Sequence, residues 1–140
     1  MDLSDVYEFA NTNPLCYLAT AEGDQPRVRA FLMWYAADKG FYFETFASKD
    51  VAKQLKANPK CEVCYYATER GSMMRASGRA VFLDDMKLKK KLIVDQPYLK
   101  KIVSGPEDPE LLIFRVQEGE AWFWTIEDNG VEKESERIKF

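Results

Sequence analysis

Arg27 and Arg29 stand two residues apart in "PRVRAFLMWY", and Ser48-Lys49 stand where the run "FYFET" ends and a helical pattern begins. Residues two apart on a strand share a face, so both guanidinium groups project on one side together with Phe31, Met33 and Tyr35. A helix N-terminus presents unpaired backbone N–H groups and partial positive charge. Ser48 places a hydroxyl there and Lys49 a mobile ammonium. Arginine forks and a lysine point charge are the side chains that grip a phosphate. If the arginine strand pairs with the strand ending at Thr45, then Arg29, Thr45, Ser48 and Lys49 converge on one terminal phosphate. The aromatic strand residues would then line an apolar slot for a flat ring system. The same residues also read as a helix cap, a solvent-facing lysine, a good strand residue and arginines paired with surface acids. Spacing alone leaves both readings open.

The elements that would position these groups follow from periodicity. Ser4 reads as the cap of a short helix, "DVYEFAN", ended by "TNP". "LCYLATAE" (Leu15 to Glu22), a long and mostly buried strand from Arg27 to Ala36, and "FYFET" read as an antiparallel meander across "GDQP" and "ADKG". "SKDVAKQLKANP" is an amphipathic helix with Val51, Ala52, Leu55 and the stem of Lys56 inward, stopped by Asn58-Pro59. "CEVCYYAT" and "MMRASGRAVFL" are strands joined across "ERGS". "DDMKLKKKLIV" is a helix with acids first and lysines later, as the macrodipole prefers. "SGPEDPE" precedes a last hairpin, "LLIFRVQ" and "EAWFWTIE", across Gly119. The polar tail from Asp128 to Phe140 reads as loose. Six or seven mostly antiparallel strands with a few peripheral helices predict a mainly β fold. Closing the strands into a small barrel hides their edges. The 140 residues read as a single domain, 1–140.

Composition removes several classes. The net charge is −3 with both signs spread along the chain, which gives nucleic acid no footprint. The lysines from Lys87 to Lys91, flanked by Asp84, Asp85 and Asp95, read as a solvated helix face. The acidic start "MDLSDVYEF" has no apolar run, so the expectation is no secretory signal. "FLMWYAA" is too short to cross a bilayer, and the expected location is the cytoplasm without a membrane partner. The chain has no histidine. That excludes Ser-His-Asp and Cys-His nucleophiles, histidine-ligated haem and most catalytic zinc. Cys61 and Cys64 diverge on a strand and, with Cys16, read as core thiols of a reducing compartment, so no metal site is expected.

The segment "RVRAFLMWYAADKGFYFETFASKDVAKQLKANPKCEVCYY", followed by "MMRASGRAVFL", resembles the pyridoxamine-phosphate-oxidase-like FMN-binding split barrels, in particular the short general-stress-protein type. The features that carry the likeness are the arginine strand, Gly40, a strand ending in Thr, a Ser-Lys helix start with "QL..NP", and "RASGRA". The resemblance implies a six-stranded antiparallel split β-barrel, a homodimer and FMN in clefts at the subunit interface. It places Arg29 at the FMN phosphate or ribityl chain and Ala30, Phe31 and Leu32 beside the isoalloxazine ring. It places Glu44 and Thr45 at the ribityl-phosphate end, Ser48 and Lys49 on the phosphate, and Trp122 or Trp124 of a partner at the ring. The sequence departs from the oxidase in a shorter loop after Thr45 and in Met73 where the oxidase has Gln. It also lacks the histidine of the oxidase's C-terminal substrate segment, although Arg137 is present. Oxidation of pyridoxamine phosphate is therefore not expected.

The resulting expectation is an oxidoreductase in which bound FMN passes hydride or electrons between small molecules. No catalytic side chain is assigned; Tyr35, Tyr65 and Tyr66 are possible proton donors that also read as core. The alternatives are a flavin-storing or flavin-sensing module without turnover, and a barrel that has lost the cofactor. A deazaflavin or haem in the same cleft ranks below these.

Overall fold

The computed structural model describes residues 1–131 and 134–140. Alternation builds its wall. Strand β1 (Leu15–Glu22) buries Cys16, Leu18 and Thr20 on one face and exposes Leu15 and Tyr17 on the other. β2 (Gln25–Leu32), β3 (Tyr35–Ala37) and β4 (Gly40–Phe46) follow. β5 (Lys60–Ala67) and β6 (Ser72–Phe82) bury Val63 and Tyr65, and Met74 and Ala76, toward the same interior. The long β7 (Leu111–Trp124) and the short β8 (Ile138–Lys139) complete the set. Pairing is antiparallel throughout, in the order β2-β1-β5-β6-β7-β4-β3, with β8 on β7. β2 and β3 end that order, so the sheet curls without closing, and the six long strands form a split barrel.

An aromatic cluster holds the split. Phe31 of β2 meets Phe43 of β4 edge-on at 5.6 Å and Phe114 of β7 at 5.9 Å, and Phe43 stacks on Phe114. The expected meander is corrected here: β2 pairs with β1 alone, while β4 pairs with β3 and β7. The expected strand from Arg27 to Ala36 is two strands. It breaks at Met33 and Trp34, whose N–H groups donate to the Pro14 and Tyr42 carbonyls at 2.9 and 3.0 Å instead of continuing one ladder. β2 is also largely exposed, not buried.

The expected hairpin across Gly119 is a second correction, since β7 runs unbroken. Glu118 has φ 54, a left-handed conformation. β6 shifts register opposite it, between Ser77 and Arg79. A Cβ on Gly119 would lie 1.8 Å from the Ser77 carbonyl oxygen. The glycine lets the two strands touch at a bulge that bends the wall. Phe140 exchanges backbone hydrogen bonds with Gly119 at 3.1 and 3.2 Å and sets its ring edge-on against Phe41 at 5.0 Å. The end of the tail is thus tied in; residues 132–133 of the expected loose tail lie outside the described residues.

Helix α1 (Leu3–Thr12) is capped by Asp2, not Ser4: the Asp2 carboxylate accepts from the Ser4 and Asp5 amides, and the Asp5 carboxylate accepts from the Asp2 amide. This box outcompetes a serine hydroxyl placed two residues too late. Helix α2 (Asp50–Ala57) buries Val51, Ala52, Gln54 and Leu55. Helix α3 (Met86–Asp95) and the 3-10 turn Pro97–Lys101 pack Leu92, Ile93 and Leu99 on Leu111 and Ile113 of β7.

Cys16 and Cys61 sit in the core, and burial pushes both thiols up to about 12 from 9.0. Cys64 departs from the expected core position: it is half-buried on the outer face, where burial, partly offset by Arg75, raises its thiol. Reactivity follows the thiolate, so alkylation of Cys16 and Cys61 at pH 8 is expected to be about a thousandfold slower than that of an unburied thiol. Native-state iodoacetamide labelling read by mass spectrometry should find Cys64 first. Early labelling of Cys16 would mean that the barrel opens.

Candidate functional site

The start of α2 meets the β1–β2 end of the wall at an open cleft of about 530 Å3. Arg27, Arg29 and Lys49 line it with the carboxylates of Glu22 and Asp50, so cations exceed acids there. Arg29 is half-buried. Burial first, and the charge of Arg27 second, lower its pKa; Asp50 and Glu22 oppose them. The Arg29 side chain is fixed by neutral oxygens. Its Nη1 donates to Thr20 Oγ1 at 2.7 Å and to the Leu18 carbonyl at 3.2 Å, and its Nη2 donates to Gln54 Oε1 at 2.5 Å. Gln54 Nε2 donates to Glu22 at 3.1 Å, and Arg27 donates to the other oxygen of Glu22 at 3.0 Å. These bonds, the Gln54 bond foremost, hold the Glu22 carboxyl below its ordinary range. Lys49 is the N-cap residue of α2 and supplies no side-chain cap. Its ammonium lies 5.4 Å from the Phe46 ring centroid and has no carboxylate within ion-pair distance among the described residues. Two guanidinium groups, a free ammonium and an uncapped helix start are the donor types a phosphate ester needs.

Arg29 and Lys49 are the expected site residues brought together in this cleft. Phe31 and Thr45 face the barrel interior, where the Thr45 hydroxyl is buried without a hydrogen-bond partner. Glu44 is on the opposite face of β4 and accepts from Tyr98 Oη. Ser48 is exposed in the turn before α2, its amide 3.3 Å from Glu110 Oε2, and does not line the cleft. Ala30 and Leu32 point to the outer face of β2. Trp122 lies on the outer face of β7, between Arg75 at 5.0 Å and Arg137 at 3.9 Å from its ring. Sequence reasoning misses Thr20, Gln54 and Glu22. Gln54 lies three residues beyond Val51, on the buried stripe of α2, and a polar residue on that stripe is the available signal.

The outer face of β2-β1-β5 is unusually apolar. Leu15 pairs with Leu32 and Ala19 with Val28; Tyr17 lies beside them, and Tyr66 continues the face on β5. Val28 is 70% exposed and Leu32 61% exposed. Among the described residues no helix is long and apolar enough to cross a membrane, and no group of three or more metal-ligating side chains forms.

The fold and cleft together define a split barrel with a cationic pocket where a helix start meets the edge strand. A model of the pyridoxamine 5'-phosphate oxidase family matches residues 4–125, and the chain belongs to that family. A NimC/NimA family protein from Clostridium acetobutylicum is similar at 26% identity and TM-score 0.80, over 96% of this chain and 91% of that one. General Stress Protein 26 from Bacillus anthracis str. Sterne is 18% identical at TM-score 0.73, over 96% and 98%. A pyridoxamine 5'-phosphate oxidase-related, FMN-binding protein from Nostoc punctiforme PCC 73102 is 13% identical at TM-score 0.70, over 96% and 88%. No curated protein sequence matches significantly.

Proposed function

We propose that the chain is an FMN-binding oxidoreductase that works as a homodimer, with the FMN phosphate in the Arg29–Lys49 cleft. The observation that carries this reading is the pairing of a pre-positioned Arg29 with an ammonium that forms no ion pair among the described residues, both beside an uncapped helix start. Family membership and the likeness to an FMN-binding protein support it. FMN would supply the hydride or electron transfer. Arg29 and Lys49 would hold its phosphate. Among the described residues β2 pairs on one side only, with the Phe31 backbone turned toward Cys16 of β1, so the backbone groups of Ala30 and Leu32 on its other edge would be free to meet the flavin. Three free cysteines suit a reducing, cytoplasmic setting.

The apolar outer face supports the homodimer, because a patch of this kind is commonly covered by a partner. Leu32→Glu should turn a dimer into a monomer in sedimentation at micromolar concentration. A wild-type monomer would contradict the shared cleft. The oxidoreductase reading is tested by adding NADH or NADPH anaerobically to the FMN-loaded protein. Loss of the flavin absorbance and its return with an acceptor are expected; a flavin inert to every donor would reduce the chain to a storage or sensing module.

A further inference from the structure

We infer that Thr20 and Gln54 are positioning residues that make the cleft selective for a phosphate monoester dianion, because they hold Arg29 through uncharged oxygens. This rests on the proposed phosphate site and adds a ligand class to it. Both residues are buried, Thr20 5% and Gln54 6% exposed. Thr20 Oγ1 donates to Gln54 Oε1 at 2.6 Å, so two oxygens stand side by side. Nη1 of Arg29 meets one at 2.7 Å and Nη2 the other at 2.5 Å. The end of the guanidinium is therefore docked as it would be on a carboxylate, without the negative charge. A real carboxylate there would cancel the charge that a ligand must use.

The donor count points the same way. A guanidinium has five N–H donors. Thr20, Gln54 and the Leu18 carbonyl take one each, leaving Nε–H and one Nη2–H for a ligand. The amide of Gln54 is also fixed in orientation. Its NH2 donates to Glu22 Oε2 at 3.1 Å, and reversing it would set NH2 against Arg29. Glu22 is meanwhile occupied by Arg27.

The charged groups facing Arg29 are Arg27 and Glu22 from the strands and Asp50 from α2, with Lys49 on the same cleft. Among the described residues neither Arg29 nor Lys49 forms an ion pair, although Glu22 and Asp50 share the cleft, so both positive charges are open to a monoester dianion. A phosphate linked on both sides, as in FAD, carries one charge per phosphorus, and riboflavin carries none. The expected order of affinity is FMN, then FAD, then riboflavin.

The test is flavin-fluorescence titration of the full chain with FMN and riboflavin at pH 8 and pH 5.5. The wild type should prefer FMN, and the preference should shrink at pH 5.5, because the second phosphate proton binds near pKa 6. Gln54→Glu should cut the FMN-to-riboflavin ratio by about tenfold to a hundredfold and leave riboflavin affinity unchanged. Thr20→Val should cut the ratio in the same direction, and Thr20→Ser, which keeps the hydroxyl, should restore it. If Gln54→Glu does not fold, the Thr20 pair decides. Equal wild-type affinity for both flavins would overturn the phosphate site itself. A wild-type FMN preference that survives in Gln54→Glu and Thr20→Val, with the same pH profile, would overturn this inference alone.

Discussion

Lys49→Glu is expected to weaken FMN binding about a thousandfold while leaving riboflavin within about threefold, because it removes one charge-assisted contact and adds a repulsive charge. Arg29→Ala should cost about a hundredfold on the same ligand, since it removes hydrogen bonds to a charged group without adding repulsion. Both changes act on the phosphate, which riboflavin lacks. Lys49 is exposed and forms no ion pair among the described residues, so its replacement should leave the melting temperature unchanged. Arg29 is different. Its loss removes the donor that faces Thr20 and Gln54, and a lower melting temperature should accompany the binding defect. Paired titrations with FMN and riboflavin, each with a thermal melt, separate the two effects. Equal losses for both flavins would remove these residues from the phosphate site.

Gly119→Val should destabilise the fold by more than about 3 kcal/mol, near the severe end for one substitution. The added Cβ would sit 1.8 Å from the Ser77 carbonyl oxygen and 2.8 Å from the Gly78 Cα. Both are backbone atoms, so relief requires β6 and β7 to separate. Those strands carry the barrel wall on both sides of the bulge, from Met73 opposite Trp124 to Phe82 opposite Phe114. For a chain of this size the melting temperature should fall by roughly 10 °C. Gly23→Ala is the control. Gly23 has φ +60, but an added methyl would meet nothing within 4 Å, so only the left-handed backbone cost of about 1 kcal/mol applies. Urea midpoints for the two variants check the contrast, and an unchanged midpoint for Gly119→Val would mean that the strands do not meet there.

These residues also show what a linear reading can and cannot reach. Alternation exposed the strands, and the stripe at Val51, Ala52 and Leu55 exposed α2, because both signals are local. Arg29 and Lys49 do line one cleft, but not by the expected route: β2 and β4 do not pair, and it is the start of α2 lying against the β1–β2 end that brings them together. Thr20 and Gln54 were not legible: they lie 34 positions apart and meet only through the packing of α2 on β1. The Glu118-Gly119 pair reads as a turn because glycine and a left-handed residue serve turns and bulges alike. Tertiary pairing with β6 decided for the bulge. Glu44 and Thr45 are neighbours in sequence, yet a period of two sends them to opposite faces of β4. The break at Met33 and Trp34 had no glycine or proline to mark it, only the pull of the Pro14 and Tyr42 carbonyls.

A crystal structure of the protein grown with excess FMN would decide where the phosphate sits. It is expected in the cleft, within hydrogen-bond distance of Arg29 Nε or Nη2 and of the Lys49 ammonium, with Arg29 still docked on Thr20 and Gln54. A flavin bound elsewhere, or that cleft closed by side chains in the presence of saturating FMN, would contradict the assignment.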